Sequence, residues 1–143
     1  MKISIITATY NRASTIVRAI SSVRNQTYDN VQLVIIDGGS TDETIELIKP
    51  LISTSDIVCS EQDYGIYDAL NKGINISNGE IIAFLHSDDF YIDEEVVHNV
   101  IKLFEEDEVD IVYGDVSFFE ENNPKKVTRI YHSDELSQRN LAW

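Results

Sequence analysis

Residues 31–42 read Val-Gln-Leu-Val-Ile-Ile-Asp-Gly-Gly-Ser-Thr-Asp. The first six are nearly all apolar and mostly β-branched, the pattern of a strand buried on both faces. The last six are polar, with a Gly-Gly pair that permits positive φ or close backbone approach. Strands buried on both faces belong to parallel sheets covered by helices, so this segment predicts an α/β fold. The rest of the chain agrees as one works outward. Residues 3–8 and 81–85 are further apolar runs, 57–60 a weaker one, and 111–113 a short fifth. Between them lie helical faces: Ile16, Val17, Ile20 and Val23; Ile45, Ile48 and Leu51; Tyr67, Leu70 and Ile74; Val97, Val100, Ile101 and Phe104. Pro50 should end the second helix near Lys49, and Asn78-Gly79 should close the third. Asp93, Glu94 and Glu95 suit the first turn of the fourth, where acids complement the helix dipole. Residues 116–119 and 126–131, joined by Asn122-Asn123-Pro124, read as a β-hairpin, with a short helix expected from Ser133. Strand–helix alternation implies right-handed βαβ units, here with helices on both faces of a mostly parallel sheet.

Composition narrows the function. The chain has 143 residues, 25 acidic and 11 basic side chains and a net charge of −14. That charge opposes nucleic acid or an anionic membrane as the general partner. Apolar content of 43% is that of a globular domain, and the length suits one domain, residues 1–143. One cysteine, Cys59, cannot form an internal disulfide, which fits a reducing, cytoplasmic setting; inside a strand it reads as buried filler. No run approaches the ~18 apolar residues of a membrane span, which leaves only peripheral association with a membrane face.

Ligands of open parallel sheets bind beyond the carboxyl ends of the strands. Polar residues collect at those ends: Thr9-Tyr10-Asn11-Arg12, Asp37 to Asp42, Glu61 to Gly65, and His86-Ser87-Asp88-Asp89. The amino ends carry plain turn residues. Adjacent carboxylates at Asp88 and Asp89 repel each other, and a hard cation such as Mg²⁺ or Mn²⁺ keeps both ionised. Either acid could instead begin a turn or cap a helix. Ser40 to Glu43 has the spacing of a capping box. Asp37, leaving an apolar strand, is a ligand-contact candidate. Asp68 and Lys72 are spaced as a helical ion pair, and with Asp63 and Asn71 they flank the third exit, within reach of a ligand sugar or phosphate. His86 could bind metal or pack. Glu105, Glu106, Glu108, Glu120 and Glu121 read as solvated. Neither a GxGxxG nor a GxxxxGK[ST] motif is present, which disfavours dinucleotide and P-loop readings.

Taken together, IITATYNR, IIDGGSTDET, SEQDYGIYDALNKGI and NGEIIAFLHSDD resemble, in order and spacing over residues 3–115, the family 2 glycosyltransferases of the GT-A fold. SDD matches that family's metal-binding element. The resemblance implies transfer of a sugar from a nucleotide-diphosphate donor, a UDP-sugar, to a saccharide or lipid-linked acceptor in bacterial surface-polysaccharide synthesis. It implies Mn²⁺ or Mg²⁺ on Asp89, with Asp88 sharing the metal or near the ribose. Ala8, Thr9, Tyr10 and Asn11 would flank the base, Asp37 would line the nucleoside pocket, and Asp68, Asn71 and Lys72 would close over the donor. The family's frequent second Asp is Gly38 here, and a frequent Arg is Leu70, which leaves phosphate contact to Lys72 or Arg12. His132, Asp134 and Glu135 are the late acid–base candidates, and none is assigned as the general base. The resemblance covers the donor-binding portion, so the chain is expected to lack much of the acceptor half. A non-catalytic nucleotide-sugar-binding or interaction module is the alternative reading. A phosphoacceptor receiver domain fits poorly, because its acid pair after strand one and Lys after strand five are missing.

Overall fold

A computed structural model describes residues 1–106, 109–120 and 123–133. They fall into two compact units, Met1–Lys102 and one beginning at Leu103. The first contains β1 (Ile3–Thr9), α1 (Ile16–Arg24), β2 (Val31–Asp37), α2 (Thr44–Ile48) with a 3₁₀ turn at Lys49–Leu51, β3 (Ile57–Ser60), α3 (Ile66–Ile76) and β4 (Ile81–Phe84). α4 (Val96–Glu106) follows. The sheet order is β3-β2-β1-β4 and every pairing is parallel, with Ile3 opposite Val31 and Ile81.

The central strands are buried on both faces, as a doubly covered sheet requires. Ile6, Val34 and Ile36 pack with Ala69 of α3, and half-buried Cys59 lies against them. The alternate residues Ile5, Leu33 and Ile35 are equally buried. Each such side chain contributes roughly 1.5–3 kcal/mol when removed from water.

The third helical face differs from the sequence expectation. α3 buries Ala69 and Gly73, while Tyr67 and Ile74 are exposed. The reason is proximity: a Cβ on Gly73 would lie 2.4 Å from Ile6 Cγ2. Only small residues at this i,i+4 stripe let the helix come so near β1. α1 buries Ala19 in place of Val17. The capping box at Ser40–Glu43 does not form, since α2 has no side-chain cap and Ser40 bonds elsewhere. Asp93, Glu94 and Glu95 precede α4, and Asp93 Oδ1 accepts the Glu95 N–H at 2.9 Å.

The second unit contains β5 (Val116–Glu120) and β6 (Asn123–Tyr131), an antiparallel hairpin with register shifts around Phe119. Asn123 belongs to β6 opposite Glu120, rather than to a turn. Asp115 closes the open end: Oδ2 meets His132 Nδ1 at 2.8 Å and Oδ1 accepts the Ser133 N–H at 2.7 Å. These bonds hold the Asp115 carboxyl down at about 2, chiefly through the Ser133 amide and His132. Residues 111–113 form no strand; Ile111 is exposed, and three residues with no paired neighbour among the described residues cannot sustain a ladder. The expected helix after Ser133, together with Asp134, Glu135, Glu108 and Glu121, lies outside the described residues.

Candidate functional site

The four strand exits of the first unit meet at a cleft of about 700 Å³. Its geometry depends on Asp37. This carboxylate is wholly buried and binds its own loop: Oδ2 accepts from Gly39 N at 3.2 Å, Ser40 N at 3.0 Å and Ser60 Oγ at 2.6 Å, and Oδ1 from Ser40 Oγ. It therefore ties the second exit to β3 from below and forms no part of the cleft wall. Ser40 Oγ in turn accepts the Asn11 N–H at 2.8 Å, and Asn11 Oδ1 accepts the Thr41 N–H at 2.8 Å. Asn11 has φ 50°, a left-handed conformation that Asn tolerates better than most residues. Arg12 N donates to Thr44 Oγ1, and Ala13 N to Asp42 Oδ2. Thr44's hydroxyl first, and then the Ala13 and Thr44 amides, hold Asp42 below the usual carboxylate range.

Of the expected donor-binding residues, Ala8, Thr9, Tyr10 and Asp88 line the cleft. Tyr10 is exposed there, while Thr9 is buried and its hydroxyl has no hydrogen-bond partner among the described residues. Asn11, Asp37, Asp68, Asn71 and Lys72 stand outside the lining; all but Asn71, an exposed residue of α3, bond to the loops that form it. Asp68 Oδ2 accepts the Tyr64 N–H at 3.1 Å and meets Lys72 Nζ at 3.2 Å, and Lys72 also meets Glu61 Oε1 at 2.9 Å. The Tyr64 amide and then Lys72 lower Asp68's pKa; Glu61 and then Asp68 raise that of Lys72. Arg12, Gln62, Asp63, Ile66, His86 and Ser87 also line the cleft. Gln62 and Ser87 belong to the polar exit runs marked in the sequence but carried no individual role there, and Ile66, the first residue of α3, was not singled out.

Asp88 and Asp89 follow β4 in a turn in which Asp89 N donates to His86 O at 3.0 Å. Burial, and then the Asp88 charge, push the Asp89 carboxyl above its usual range; His86 and Arg18 pull it back. The segment is braced from α1. Arg18 Nη2 donates to Asp88 O at 3.3 Å and its guanidinium lies 4.9 Å from the Phe90 ring centroid. Ser22 Oγ accepts the Tyr91 N–H at 3.1 Å. Gln26, just past the helix, donates to Asp93 O at 2.7 Å and accepts from Val97 N at 2.9 Å. Burial raises the Tyr91 phenol to about 12.

Residues 4–141 match the family described as Glycosyl transferase family 2. The chain belongs to that family. Among curated relatives, it is 37% identical over 114 residues to the *Escherichia coli* protein UDP-Glc:alpha-D-GlcNAc-diphosphoundecaprenol beta-1,3-glucosyltransferase WfaP, covering 78% of this chain and 45% of the relative. It thus spans less than half of that relative's length. Among solved structures, *S. aureus* TarS residues 1–349 in complex with UDP superposes with a TM-score of 0.68 at 26% identity, covering 77% of this chain and 34% of that one. Glucosyl-3-phosphoglycerate synthase from *Mycobacterium tuberculosis*, solved with Mn²⁺, UDP and glucosyl-3-phosphoglycerate, gives 0.60 at 25% identity, covering 72% and 39%. The sheet and its helices are accordingly of GT-A type. In this family 2 chain, no three His, Cys, Asp or Glu side chains among the described residues form a cation cluster. The Asp88–Asp89 pair nonetheless fits Mg²⁺ or Mn²⁺, which commonly take one or two carboxylates and complete their shell with water and phosphate.

Proposed function

We propose that this chain is the nucleotide-sugar-binding part of a glycosyltransferase that moves a sugar from a UDP-sugar to a saccharide or lipid-linked acceptor in cell-surface polysaccharide synthesis. The observation that carries the reading is the convergence of four strand exits on one cleft, with an adjacent acid pair at the fourth. Asp89, with Asp88, would hold a Mn²⁺ or Mg²⁺ ion. A bound cation would supply positive charge to the departing nucleoside diphosphate. Tyr10 offers an exposed ring at the cleft for the base, and Arg12 a guanidinium suited to phosphate. Lys72 acts through the loop at residues 61–68, because its ammonium is already held by Glu61 and Asp68. The relatives' printed donors and the bacterial WfaP match support UDP and the polysaccharide role.

The test is calorimetric titration of the chain with UDP, with and without Mn²⁺. Metal-dependent binding that Asp89→Ala abolishes is expected. Binding indifferent to both metal and Asp89 would overturn the metal assignment, and no UDP binding at all would overturn the reading. Metal-dependent release of sugar from UDP-glucose would separate an enzyme from a binding module.

A further inference from the structure

Thr9, Gly38 and Asp63 come from three adjacent strand exits and line the same cleft. Gly38 N donates to Thr9 O at 2.9 Å, which joins the first two. Asp63 comes so near Gly38 that a Cβ there would lie 2.8 Å from Asp63 Oδ2 and 3.3 Å from Cγ. Any other residue at 38 would displace this carboxylate. Asp63 Oδ1 accepts the Gly65 N–H at 2.9 Å, which fixes the carboxylate's orientation. Among the described residues nothing donates to Oδ2. Thr9, which lines the same cleft, is buried to 5% exposure with its hydroxyl also unpartnered among those residues. Buried polar atoms are nearly always paired, so an unpaired hydroxyl on a cleft-lining residue calls for a partner that a bound ligand can supply.

The chemistry of the two groups defines that ligand. An ionised carboxylate only accepts hydrogen bonds, whereas a hydroxyl can donate to a carbonyl. Together they match a ring N–H flanked by a carbonyl, as at N3 of uracil or N1 of guanine. Cytosine and adenine present a lone pair at the equivalent ring nitrogen, which a carboxylate repels. We propose that Asp63, with Thr9, reads the base of the nucleotide donor and selects a base with a ring N–H beside a carbonyl, and that Gly38 is there to make room for it. This rests on the nucleotide-binding reading above and adds the residues that set its specificity.

The test titrates the full chain, in saturating Mn²⁺, with UDP, GDP, CDP and ADP, and with pyrophosphate as a base-free probe. UDP or GDP should bind about tenfold or more tighter than CDP and ADP. Asp63→Asn keeps an oxygen for the Gly65 amide but removes the charge. It should erase most of that preference and leave pyrophosphate affinity unchanged. Gly38→Ala should do the same with the carboxylate chemically intact. A parallel loss in all arms, pyrophosphate included, would show that Asp63 only supports its loop and would overturn the proposal; so would an undiminished preference in Asp63→Asn. Wild-type binding without base preference would sink this inference alone. Failure to bind any probe would sink the nucleotide-binding reading with it.

Discussion

Replacing Asp37 by Asn separates two roles that an acid at a strand exit can have. If the carboxylate touched a ligand, the variant would fold normally and bind nucleotide poorly. The structure predicts the reverse order of effects. Asp37 is fully buried and accepts four hydrogen bonds, three of them at Oδ2. Asn can keep its carbonyl toward those three donors, but its amide then faces Ser40 Oγ. Ser40 Oγ already accepts from Asn11 N and would lose the acceptor for its own proton. The other three bonds lose charge assistance, worth about 1 kcal/mol each. Relief from burying a charge offsets part of this, so the net destabilisation is about 2 kcal/mol. For a unit of this size that lowers Tm by roughly 8 °C. Asp37→Ala, which strands all four donors, should cost roughly 3–5 kcal/mol. Urea unfolding followed by circular dichroism measures the stability, and calorimetry below the transition measures UDP affinity. UDP affinity should fall less than about threefold in the Asn variant, because the loop is loosened rather than a contact removed. Unchanged stability with a tenfold or greater loss of binding would refute the reasoning and return Asp37 to the ligand.

Other outcomes follow from the same geometry. Arg18→Ala removes the bond to Asp88 O and the contact with Phe90, and should cost about 1–2 kcal/mol. It should also weaken Mn²⁺ binding in the presence of UDP, as read by the free Mn²⁺ resonance signal, while unaltered binding would show that the brace is idle. Gly73→Ala gains helix propensity but drives a methyl into Ile6, so urea unfolding should show a net loss of about 1–3 kcal/mol; a gain would mean that α3 can move off β1. Asp115's lowered pKa makes its contribution to the hairpin end constant above the unfolded carboxylate range near pH 4. That contribution is lost as pH falls through about 2, so the Ser133 amide should stay protected at pH 5 and exchange freely near pH 2.

Nearly continuous, short, β-branched apolar runs at 3–8 and 31–36 read as strands covered on both faces, and the polar residues after them then lie at the carboxyl edge. Those two facts made the parallel sheet and the location of the cleft legible from sequence alone, while the family came from the resemblance of the four exit motifs. The acid pair was legible too, because adjacency along the chain guarantees adjacency in space. Pairings between distant loops were not. Nothing local distinguishes an Asp that reaches a ligand from one that ties down its own loop, and only the fold shows Asp37 buried and bonded to Gly39, Ser40 and Ser60. Asp68 and Lys72, at i,i+4 spacing, suited either an ion pair or a ligand contact, and the fold adds Glu61 to them from β3's exit. Of α3's expected face only Leu70 packs against the core; Tyr67 and Ile74 were misread because large apolar residues suggested them, whereas the depth of packing against Ile6 favoured Ala69 and Gly73. The same proximity rule joins Gly38 to Asp63, 25 positions apart in the sequence. Sequence periodicity records which side of an element meets the core. How near two elements come, and which exit loop's polar groups another loop consumes, are set only when the sheet brings the strands into register.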